Sequence, residues 1–213
     1  MEFISQELDN YCINHSDSEP DYLKELNRRT HLNVLQPRML SGHFQGRALS
    51  MFSHMIKPKS VLEIGTYTGY SALCFAEGLA ENGKVITIDV NEELADLVNE
   101  FIAKASMTER VIPIIGDAME IIPTLDEEFD LVFIDADKKN YVNYYNLVFD
   151  KVKSGGYIIA DNVLWSGKVL ENCDEFDEST KTIMDYNTLI HNDKRVQELL
   201  FPIRDGLMIA RKL

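Results

Sequence analysis

The sequence predicts an α/β fold: a doubly wound, mostly parallel seven-stranded sheet, with helices before it and an antiparallel strand at its end. Strand and helix patterns alternate from residue 60 to residue 160, as in parallel sheets that are covered by helices. The strand pattern Asp130-Leu131-Val132-Phe133-Ile134 is nearly all apolar, which is typical of a strand buried on both faces. The last two strand patterns are joined by the short turn Arg204-Asp205-Gly206, which favours a hairpin and therefore an antiparallel strand.

The elements are predicted in chain order from the spacing of apolar residues and from glycine and proline. Amphipathic helices are predicted over residues 3–14, 20–34 and 41–56, and Pro58 ends the last of them. Strands are then predicted over residues 60–64, 84–89, 110–115, 130–134 and 157–160. The helices between them are predicted over residues 70–81, 92–105 and 141–152. The last elements are a helix over residues 180–191 and strands over residues 197–202 and 206–211.

All 213 residues are predicted to form one domain, because no polar linker separates these elements. Residues 1–57 form its N-terminal helical segment, and residues 58–213 form its α/β core. No apolar run approaches the roughly 18 residues of a membrane span. The acidic N-terminal residues argue against an export signal, so the expected location is the cytoplasm. Cys12, Cys74 and Cys173 lie far apart, which argues against a disulfide framework or a zinc site.

The formal net charge of −14 argues against polyanionic partners. Proteins bind phosphate backbones and anionic membranes through Lys and Arg, and an acidic excess repels such surfaces. The acidity therefore counts against nucleic acid and against an anionic membrane as partners.

Oxygen ligands end two of the predicted strands. Asp135 follows the strand over residues 130–134, and Asp161 and Asn162 follow the strand over residues 157–160. Open α/β sheets bind their ligands at the carboxyl ends of the strands. Two carboxylates and an amide carbonyl form a hard oxygen set that suits Mg²⁺ and leaves coordination positions for water and substrate. The sequence therefore predicts an enzyme with a divalent metal site.

Glycines follow the first strand in Gly65-Thr66-Tyr67-Thr68-Gly69, where the backbone can turn and approach a ligand at a helix N-terminus. Their spacing differs from the Gly-x-Gly-x-x-Gly pattern that binds a pyrophosphate. Asp89 ends the second strand, where acids commonly bind ribose hydroxyls, and Gly116-Asp117-Ala118 follows the third strand. An adenosine ligand without pyrophosphate, close to the acid Glu63, favours S-adenosylmethionine, whose amino group and sulfonium are cationic.

Five motifs resemble those of the Mg²⁺-dependent class I O-methyltransferases, the family of caffeoyl-CoA and catechol O-methyltransferases. They lie between residues 36 and 211 and are Leu62-Glu63-Ile64-Gly65-Thr66-Tyr67-Thr68-Gly69-Tyr70-Ser71, Ile88-Asp89, Gly116-Asp117-Ala118, Phe133-Ile134-Asp135-Ala136-Asp137-Lys138 and Asp161-Asn162-Val163-Leu164-Trp165. The resemblance implies the Rossmann-like fold of class I methyltransferases and a homodimer.

The resemblance also implies roles for individual residues. Lys138 would be the catalytic base, and Trp165 would flank the substrate ring, with Ser166 at a neighbouring substrate position. The ligands of Mg²⁺, or of Mn²⁺ or Ca²⁺ in its place, would be Asp135, Asp161 and Asn162. The residues that line the S-adenosylmethionine pocket would be Met39, Ser41, Glu63, Gly65, Thr66, Ser71, Asp89, Ala118 and Asp137.

These features predict methyl transfer from S-adenosylmethionine to one hydroxyl of a vicinal diol in a catechol-like small molecule. A phenol has a pKa of about 10, so a bound cation that stabilises its anion helps the reaction, and Lys138 would take the proton. Plant caffeoyl-CoA enzymes have an Asn where this chain has Ser166, and the acidic segment after it would repel CoA phosphates, which argues against a CoA ester. The alternative is methylation of a hydroxylated uridine in tRNA, which the net acidity disfavours.

The sequence leaves a structural alternative open for each assignment. The two strand-end aspartates could cap following helices, and Lys138 and Lys139 could be a solvated surface pair. Trp165 could be an ordinary core residue. Residues 166–178 match neither a helix nor a strand and form either a cover over the site or a solvated acidic loop. A non-catalytic nucleotide-binding module and a dinucleotide-dependent dehydrogenase fit the motifs less well.

Overall fold

The computed structural model describes residues 5–171 and 177–213. The strands in these ranges are β1 (Ser60–Ile64), β2 (Lys84–Asp89), β3 (Val111–Ile115), β4 (Phe129–Ile134), β5 (Val152–Asp161), β6 (Val196–Phe201) and β7 (Leu207–Lys212). The α-helices are α1 (Gln6–Asn14), α2 (Asp21–Asn33), α3 (Gly42–Ile56), α4 (Tyr70–Glu77), α5 (Ala95–Lys104), α6 (Ala118–Ile121), α7 (Tyr141–Phe149) and α8 (Glu178–Asn192). Within the described residues, one seven-stranded sheet has the order β3-β2-β1-β4-β5-β7-β6. The predicted α/β fold is confirmed.

The chain divides into two compact units. The N-terminal unit contains the described residues up to Val61 together with Thr66–Ala118, and the C-terminal unit contains Leu62–Gly65 and the described residues from Met119 onwards. The expected single domain stays a prediction. Among the described residues, no helix combines the length and the apolar character that crossing a membrane requires. Residues 1–4, Cys173 and the middle of the segment predicted to be irregular lie outside the described residues.

In the N-terminal unit, β3 pairs in parallel with β2 along the whole of β3. Pro113 in β3 lacks an amide hydrogen for a second neighbouring strand, which fits the position of β3 at the edge of the sheet. The helix α4 ends at Glu77 and not at the predicted residue 81. Gly78 follows it, and a side chain there would overlap the backbone of His54 in α3. The contact between the two helices therefore decides where α4 ends.

In the C-terminal unit, β4 and β5 are parallel, and β7 lies antiparallel to both β5 and β6. The predicted hairpin at the end of the chain is thus confirmed. The side chains of β4 from Leu131 to Ile134 are completely buried, as the apolar run indicates. The turn of the hairpin contains left-handed residues, with φ of 47° at Arg204 and 86° at Gly206.

Two boundaries in the C-terminal unit differ from the prediction. β5 begins at Val152 and not at residue 157, because Val152 already pairs with Phe129 of β4, and the strand then passes through Gly155, which has a φ of 82°. The pairing of β5 with β4 shifts register in this region. Gly155 and Gly156, a pair that is typical of a loop, therefore lie inside an irregular strand. The prediction of an irregular segment from residue 166 is wrong only in part, since the 3-10 turns within Trp165–Leu170 are interrupted by non-helical backbone at Ser166 and Gly167, with φ values of 55° and 83°.

Candidate active site

Asp135 and Asp161 lie side by side at the carboxyl ends of neighbouring strands. Ile134 of β4 pairs with Ala160 of β5 in a parallel register, and each aspartate is the next residue along the chain. Adjacent strands are about 4.8 Å apart, so the two residues belong to one small region. The amide of Asp135 donates a 2.9 Å hydrogen bond to the carbonyl oxygen of Ile64, which places the end of β1 beside them.

Lys138 is the buried member of a lysine pair. Its side chain is 10 % exposed, and its ammonium lies 3.1 Å from Asp135 Oδ1. The same ammonium donates a 2.5 Å hydrogen bond to Tyr141 Oη. The side chain of Lys139 is 59 % exposed and forms a salt bridge of 2.6 Å with Glu178. The two lysines are therefore not a solvated pair, because only Lys139 faces solvent.

Tyr141 belongs to this group of contacts, although the sequence motifs did not identify it. Its side chain is completely buried, and its hydroxyl donates a 2.8 Å hydrogen bond to the carbonyl oxygen of Asp161. Burial, together with the nearby carboxylates of Asp135 and Asp161, raises the pKa of Tyr141 well above its ordinary value. The hydroxyl therefore keeps its proton and acts as a donor to Asp161. The available signal in the sequence was spacing, since Lys138 and Tyr141 are three residues apart.

Asp137 is an exposed residue that two neighbours hold in place. Tyr144 Oη donates a 2.5 Å hydrogen bond to Asp137 Oδ1, and Asn140 Nδ2 donates a 2.8 Å hydrogen bond to Asp137 Oδ2. Asp137 is also the N-cap residue of the short 3-10 helix Lys138–Asn140. The 3-10 helix after Asp161 has a different residue, Leu164, as its N-cap. The strand-end aspartates are thus not used as helix caps.

The residues after Asp161 form a turn with left-handed backbone. Asn162, Trp165 and Ser166 have φ values of 59°, 47° and 55°, a region that residues with a Cβ seldom adopt. The side chain of Asp161 is nearly buried, and its Oδ1 accepts a 2.7 Å hydrogen bond from the amide of Asn162. Asp205 in the β6–β7 turn accepts a 2.5 Å hydrogen bond from the amide of Ser166. Asp205 is a second contact that the motifs missed.

Trp165 is half-buried beside two lysines. The ammonium groups of Lys138 and Lys168 each lie 6.0 Å from the centroid of its ring. Its indole Nε1 is buried, and the described residues provide it with no hydrogen-bond partner. A buried indole N–H usually has a partner, so this donor is available to a group that binds beside the ring.

A second group of contacts lies in the N-terminal unit, where the glycine loop meets Asp89. The Asp89 carboxylate accepts hydrogen bonds from the backbone amides of Tyr67, at 2.7 Å, and Asn91, at 2.9 Å. Thr66 Oγ1 lies 2.6 Å from Thr87 Oγ1. The pocket beside these residues is lined by Thr66, Tyr67, Asp89, Asn91, Val98 and Ile115. Two predicted cofactor residues, Thr66 and Asp89, therefore share one pocket.

The other predicted cofactor residues differ in exposure. The buried ones in the N-terminal unit are Ser41, Ser71 and Ala118. Met39 is 59 % exposed, whereas Glu63 in the C-terminal unit is completely buried. Gly65 has a φ of 101°, and a Cβ at this position would overlap the carbonyl oxygen of Asp135. Only glycine fits there, and the role of this set in binding a cofactor stays a prediction.

The donor groups at the strand ends fit a divalent cation. Asp135, Asp161 and Asn162 offer carboxylate and amide oxygens, which are the ligands that Mg²⁺ prefers. The carboxylates of Asp135 and Asp161 both lie near the buried Tyr141, and a cation would offset negative charge in this largely buried region. The described residues contain no group of three or more His, Cys, Asp or Glu suited to a metal ion. The third protein ligand that the sequence predicts is the Asn162 amide oxygen.

Known proteins are similar to this chain in sequence and in fold. The matching family model is that of the O-methyltransferases, and it covers residues 13–213. The chain is 35% identical to a probable caffeoyl-CoA O-methyltransferase of Arabidopsis thaliana, over 98% of this chain and 95% of the relative. The solved O-methyltransferase from Bacillus cereus, in complex with SAH, is 28% identical with a TM-score of 0.89 and 97% of each chain covered. The solved O-methyltransferase TomG from Streptomyces achromogenes, in complex with SAM, is 25% identical with a TM-score of 0.90 and 99% of each chain covered. The chain belongs to the O-methyltransferase family.

Proposed function

We propose that the protein is an S-adenosylmethionine-dependent enzyme that methylates one hydroxyl of a catechol-like small molecule. The observation that carries the proposal is the buried Lys138 ammonium, which lies 3.1 Å from Asp135 at the carboxyl end of β4. Open α/β sheets bind their ligands at this end, so the lysine is placed where an acceptor could reach it. The Bacillus cereus and Streptomyces achromogenes structures contain SAH and SAM, which supports the choice of cofactor.

The proposed cofactor contacts are those that the sequence predicts. They are Met39, Ser41, Glu63, Gly65, Thr66, Ser71, Asp89, Ala118 and Asp137. Asp89 would accept hydrogen bonds from ribose hydroxyls, and its carboxylate is already oriented by the amides of Tyr67 and Asn91. Glu63 would place a negative charge near the cationic amino group of S-adenosylmethionine.

Lys138 is proposed to take the proton of the acceptor. In methyl transfer the acceptor oxygen attacks the methyl carbon in line while the bond from that carbon to sulfur breaks. A phenol with a pKa of about 10 is almost fully protonated at neutral pH, so the reaction needs a base. Lys138 in its amine form could accept this proton, and Tyr141 and Asp135 hold its nitrogen in place. Trp165 would pack against the acceptor ring, with Ser166 next to it.

Asp135, Asp161 and Asn162 are proposed to hold a divalent metal ion. When bound, such an ion supplies positive charge that stabilises the acceptor oxyanion and orients a neighbouring hydroxyl, which favours vicinal diols. The chain itself keeps the ligands in place through the parallel pairing of β4 with β5. Tyr141 adds to this by donating its hydroxyl hydrogen to the Asp161 carbonyl oxygen.

Methyl transfer from labelled S-adenosylmethionine tests the proposal directly. Caffeic acid, caffeoyl-CoA and undermodified tRNA would be offered in parallel, each with Mg²⁺ and with EDTA. We expect methylation of caffeic acid that EDTA abolishes and added Mg²⁺ restores. Turnover that EDTA leaves unchanged would contradict the metal site. Methylation of tRNA, with neither catechol methylated, would contradict the proposed acceptor.

The predicted homodimer and cytoplasmic location are also part of this proposal. The family resemblance supports the dimer. Light scattering of the purified protein should give a mass near twice the 24.4 kDa of one chain. Cell fractionation tests the location, and recovery in a membrane or exported fraction would contradict it.

A further inference from the structure

We propose that Asp205 is a positioning residue that holds the Trp165 turn, residues 163–166, in the conformation that presents Trp165 and Ser166. The inference deepens the proposed function and rests on it, because these two residues are the proposed acceptor contacts. Asp205 lies in the β6–β7 turn, 39 residues after Ser166. Aspartate is common in turns for reasons of local geometry, so only its contact across this distance indicates a further role.

The β6–β7 turn accepts hydrogen bonds from three backbone amides of the Trp165 turn. The amide of Val163 donates at 3.2 Å to the carbonyl oxygen of Gly206, and that of Leu164 at 2.8 Å to the carbonyl oxygen of Asp205. The amide of Ser166 donates at 2.5 Å to Asp205 Oδ1. Any residue would supply the first two acceptors, because they are backbone carbonyls. The third acceptor is the Asp205 side chain, so its contribution can be separated by substitution.

The hydrogen bond from the Ser166 amide to Asp205 holds a part of the backbone that has an unfavourable conformation. Trp165 and Ser166 both lie in the left-handed region, which costs free energy for a residue with a Cβ. Such a conformation persists only where surrounding contacts hold it. The two turns also pack closely, since a Cβ at Gly206 would lie 2.5 Å from Leu164 Cγ. A hydrogen bond to the Asp205 side-chain oxygen is therefore available where the backbone strain lies.

Asn187 of α8 supports the other end of the Trp165 turn. Its Nδ2 donates a 2.9 Å hydrogen bond to the carbonyl oxygen of Val163. The Asp205 side chain acts three residues further on, at Ser166. Loss of the Asp205 carboxylate should therefore release the Trp165 end of the turn while the Val163 end keeps its contacts.

The Asp205 carboxylate also lies within electrostatic range of Lys138. Burial raises the pKa of Asp205, and the Ser166 amide and the Lys138 charge act in the opposite direction. A contribution of Asp205 could thus come from its hydrogen bond or from its charge. Asp205→Asn keeps an acceptor oxygen at the Oδ1 position and removes the charge. Asp205→Ser suits a turn, but its hydroxyl is one bond too short to reach the Ser166 amide.

Fluorescence tests the proposal, because Trp165 is the sole tryptophan of the chain. The full chain, without any ligand, would be compared with Asp205→Ser, Asp205→Asn and the exposed control Asp126→Ser. In Asp205→Ser we expect red-shifted emission and about twofold stronger quenching by acrylamide, since the turn opens locally. Asp205→Asn and Asp126→Ser should resemble the unaltered protein. Asp205→Glu, which keeps the charge and displaces the oxygen by one methylene, is a second loss variant in case Asp205→Ser does not fold.

Kinetics with caffeic acid provide the second readout. In Asp205→Ser we expect the KM for the acceptor to rise about tenfold, with a smaller change in kcat and an unchanged Kd for S-adenosylmethionine. Unchanged Trp165 fluorescence in a folded loss variant would overturn the proposal. An effect of Asp205→Asn equal to that of Asp205→Ser would also overturn it, because the charge would then be responsible. Absence of turnover in the unaltered protein would contradict the proposed function instead, and the fluorescence comparison would still decide the role of Asp205.

Discussion

The ammonium nitrogen of Lys138 donates a 2.5 Å hydrogen bond to the hydroxyl oxygen of Tyr141. The same hydroxyl donates to the carbonyl oxygen of Asp161, 2.8 Å away. Lys138 is thereby tied to the end of β5 and, through its salt bridge with Asp135, to the end of β4. A lysine side chain has many rotamers, and holding it in one of them lowers the entropy that must be lost when a substrate reacts.

Substitution of each of the two adjacent lysines should distinguish the proposed catalytic lysine from the surface lysine. Lys138→Met keeps the aliphatic bulk and removes the amine, so we expect kcat to fall by at least about 100-fold. Lys139→Met is the matched control, because the side chain of Lys139 is 59 % exposed and its salt bridge with Glu178 lies at the surface. Steady-state kinetics and calorimetry with S-adenosylmethionine would measure both variants. Equal losses of kcat in the two variants would refute the assignment of Lys138.

Removal of the Tyr141 hydroxyl should affect both stability and turnover. Tyr141→Phe leaves the Asp161 carbonyl oxygen without this donor and should cost about 1–3 kcal/mol in the free energy of unfolding. We expect kcat to fall about tenfold, less than in Lys138→Met, because the amine remains and loses only its orientation. Tyr144→Phe is the control on the same helix, since Tyr144 donates to Asp137. It should raise the KM for S-adenosylmethionine and leave kcat nearly unchanged. The opposite result in Tyr144→Phe, a lower kcat with an unchanged KM, would contradict the roles of both tyrosines.

Removal of one proposed metal ligand should abolish turnover without removing the cofactor. Asp161→Ala deletes a carboxylate at the end of β5, and we expect no stimulation of activity by Mg²⁺. Calorimetry should show a Kd for S-adenosylmethionine within about threefold of the unaltered protein, since the carboxylate is not a proposed cofactor contact. Activity in Asp161→Ala that still responds to Mg²⁺ would show that the ion binds elsewhere.

Two glycines of the loop after β1 should differ in their tolerance of alanine. Both have positive φ, 101° at Gly65 and 83° at Gly69, so both substitutions strain the backbone. A Cβ at Gly65 would also overlap the Asp135 carbonyl oxygen, whereas at Gly69 its nearest neighbour is Val98 Cγ1 at 3.4 Å. Urea unfolding should therefore show a loss of about 1 kcal/mol for Gly69→Ala and about 3 kcal/mol or more for Gly65→Ala. Similar losses would mean that the chain around Gly65 can relax.

The stability contributed by Asp193 should depend on pH. Hydrogen bonds from the Arg195 side chain are the largest influence on the Asp193 carboxyl, and they lower its pKa. Burial raises this pKa, whereas hydrogen bonds from the Arg195 amide and the Tyr145 hydroxyl lower it further. Because the folded-state pKa lies below the unfolded value of about 3.9, the stabilisation is present above about pH 4 and is lost as the pH falls through the folded-state pKa.

Asp193→Asn should therefore lower the Tm at neutral pH, and the difference from the unaltered protein should shrink as the pH falls from about 4 to about 2. Thermal unfolding followed by circular dichroism would measure this. The exposed Asp126→Asn is the control and should show a small difference at every pH. A Tm difference that stays constant down to acid pH would show that Asp193 acts through packing.

The main elements and the strand-end residues were predictable, whereas several boundaries were not. Asp135 and Asp161 directly follow apolar runs, and a parallel sheet brings such positions to one edge, so their proximity follows from the pattern. The end of α4 depends on the close approach of His54 to Gly78, and the early start of β5 depends on the backbone of Gly155. Periodicity carries no information about contacts of this kind.

The sequence by itself determined the chain order of the seven strands and of the described α-helices other than α6, the residues that end the strands and the family to which the chain belongs. Only the tertiary structure decided which of two adjacent lysines is buried, which hydroxyl orients it and which carboxylate supports the Trp165 turn. Tyr141 and Asp205 have ordinary sequence contexts, a helix face and a turn. Their contacts lie 20 residues away at Asp161 and 39 residues away at Ser166. A local pattern records the propensity of a segment, but a hydrogen bond between distant residues exists only once the chain has folded.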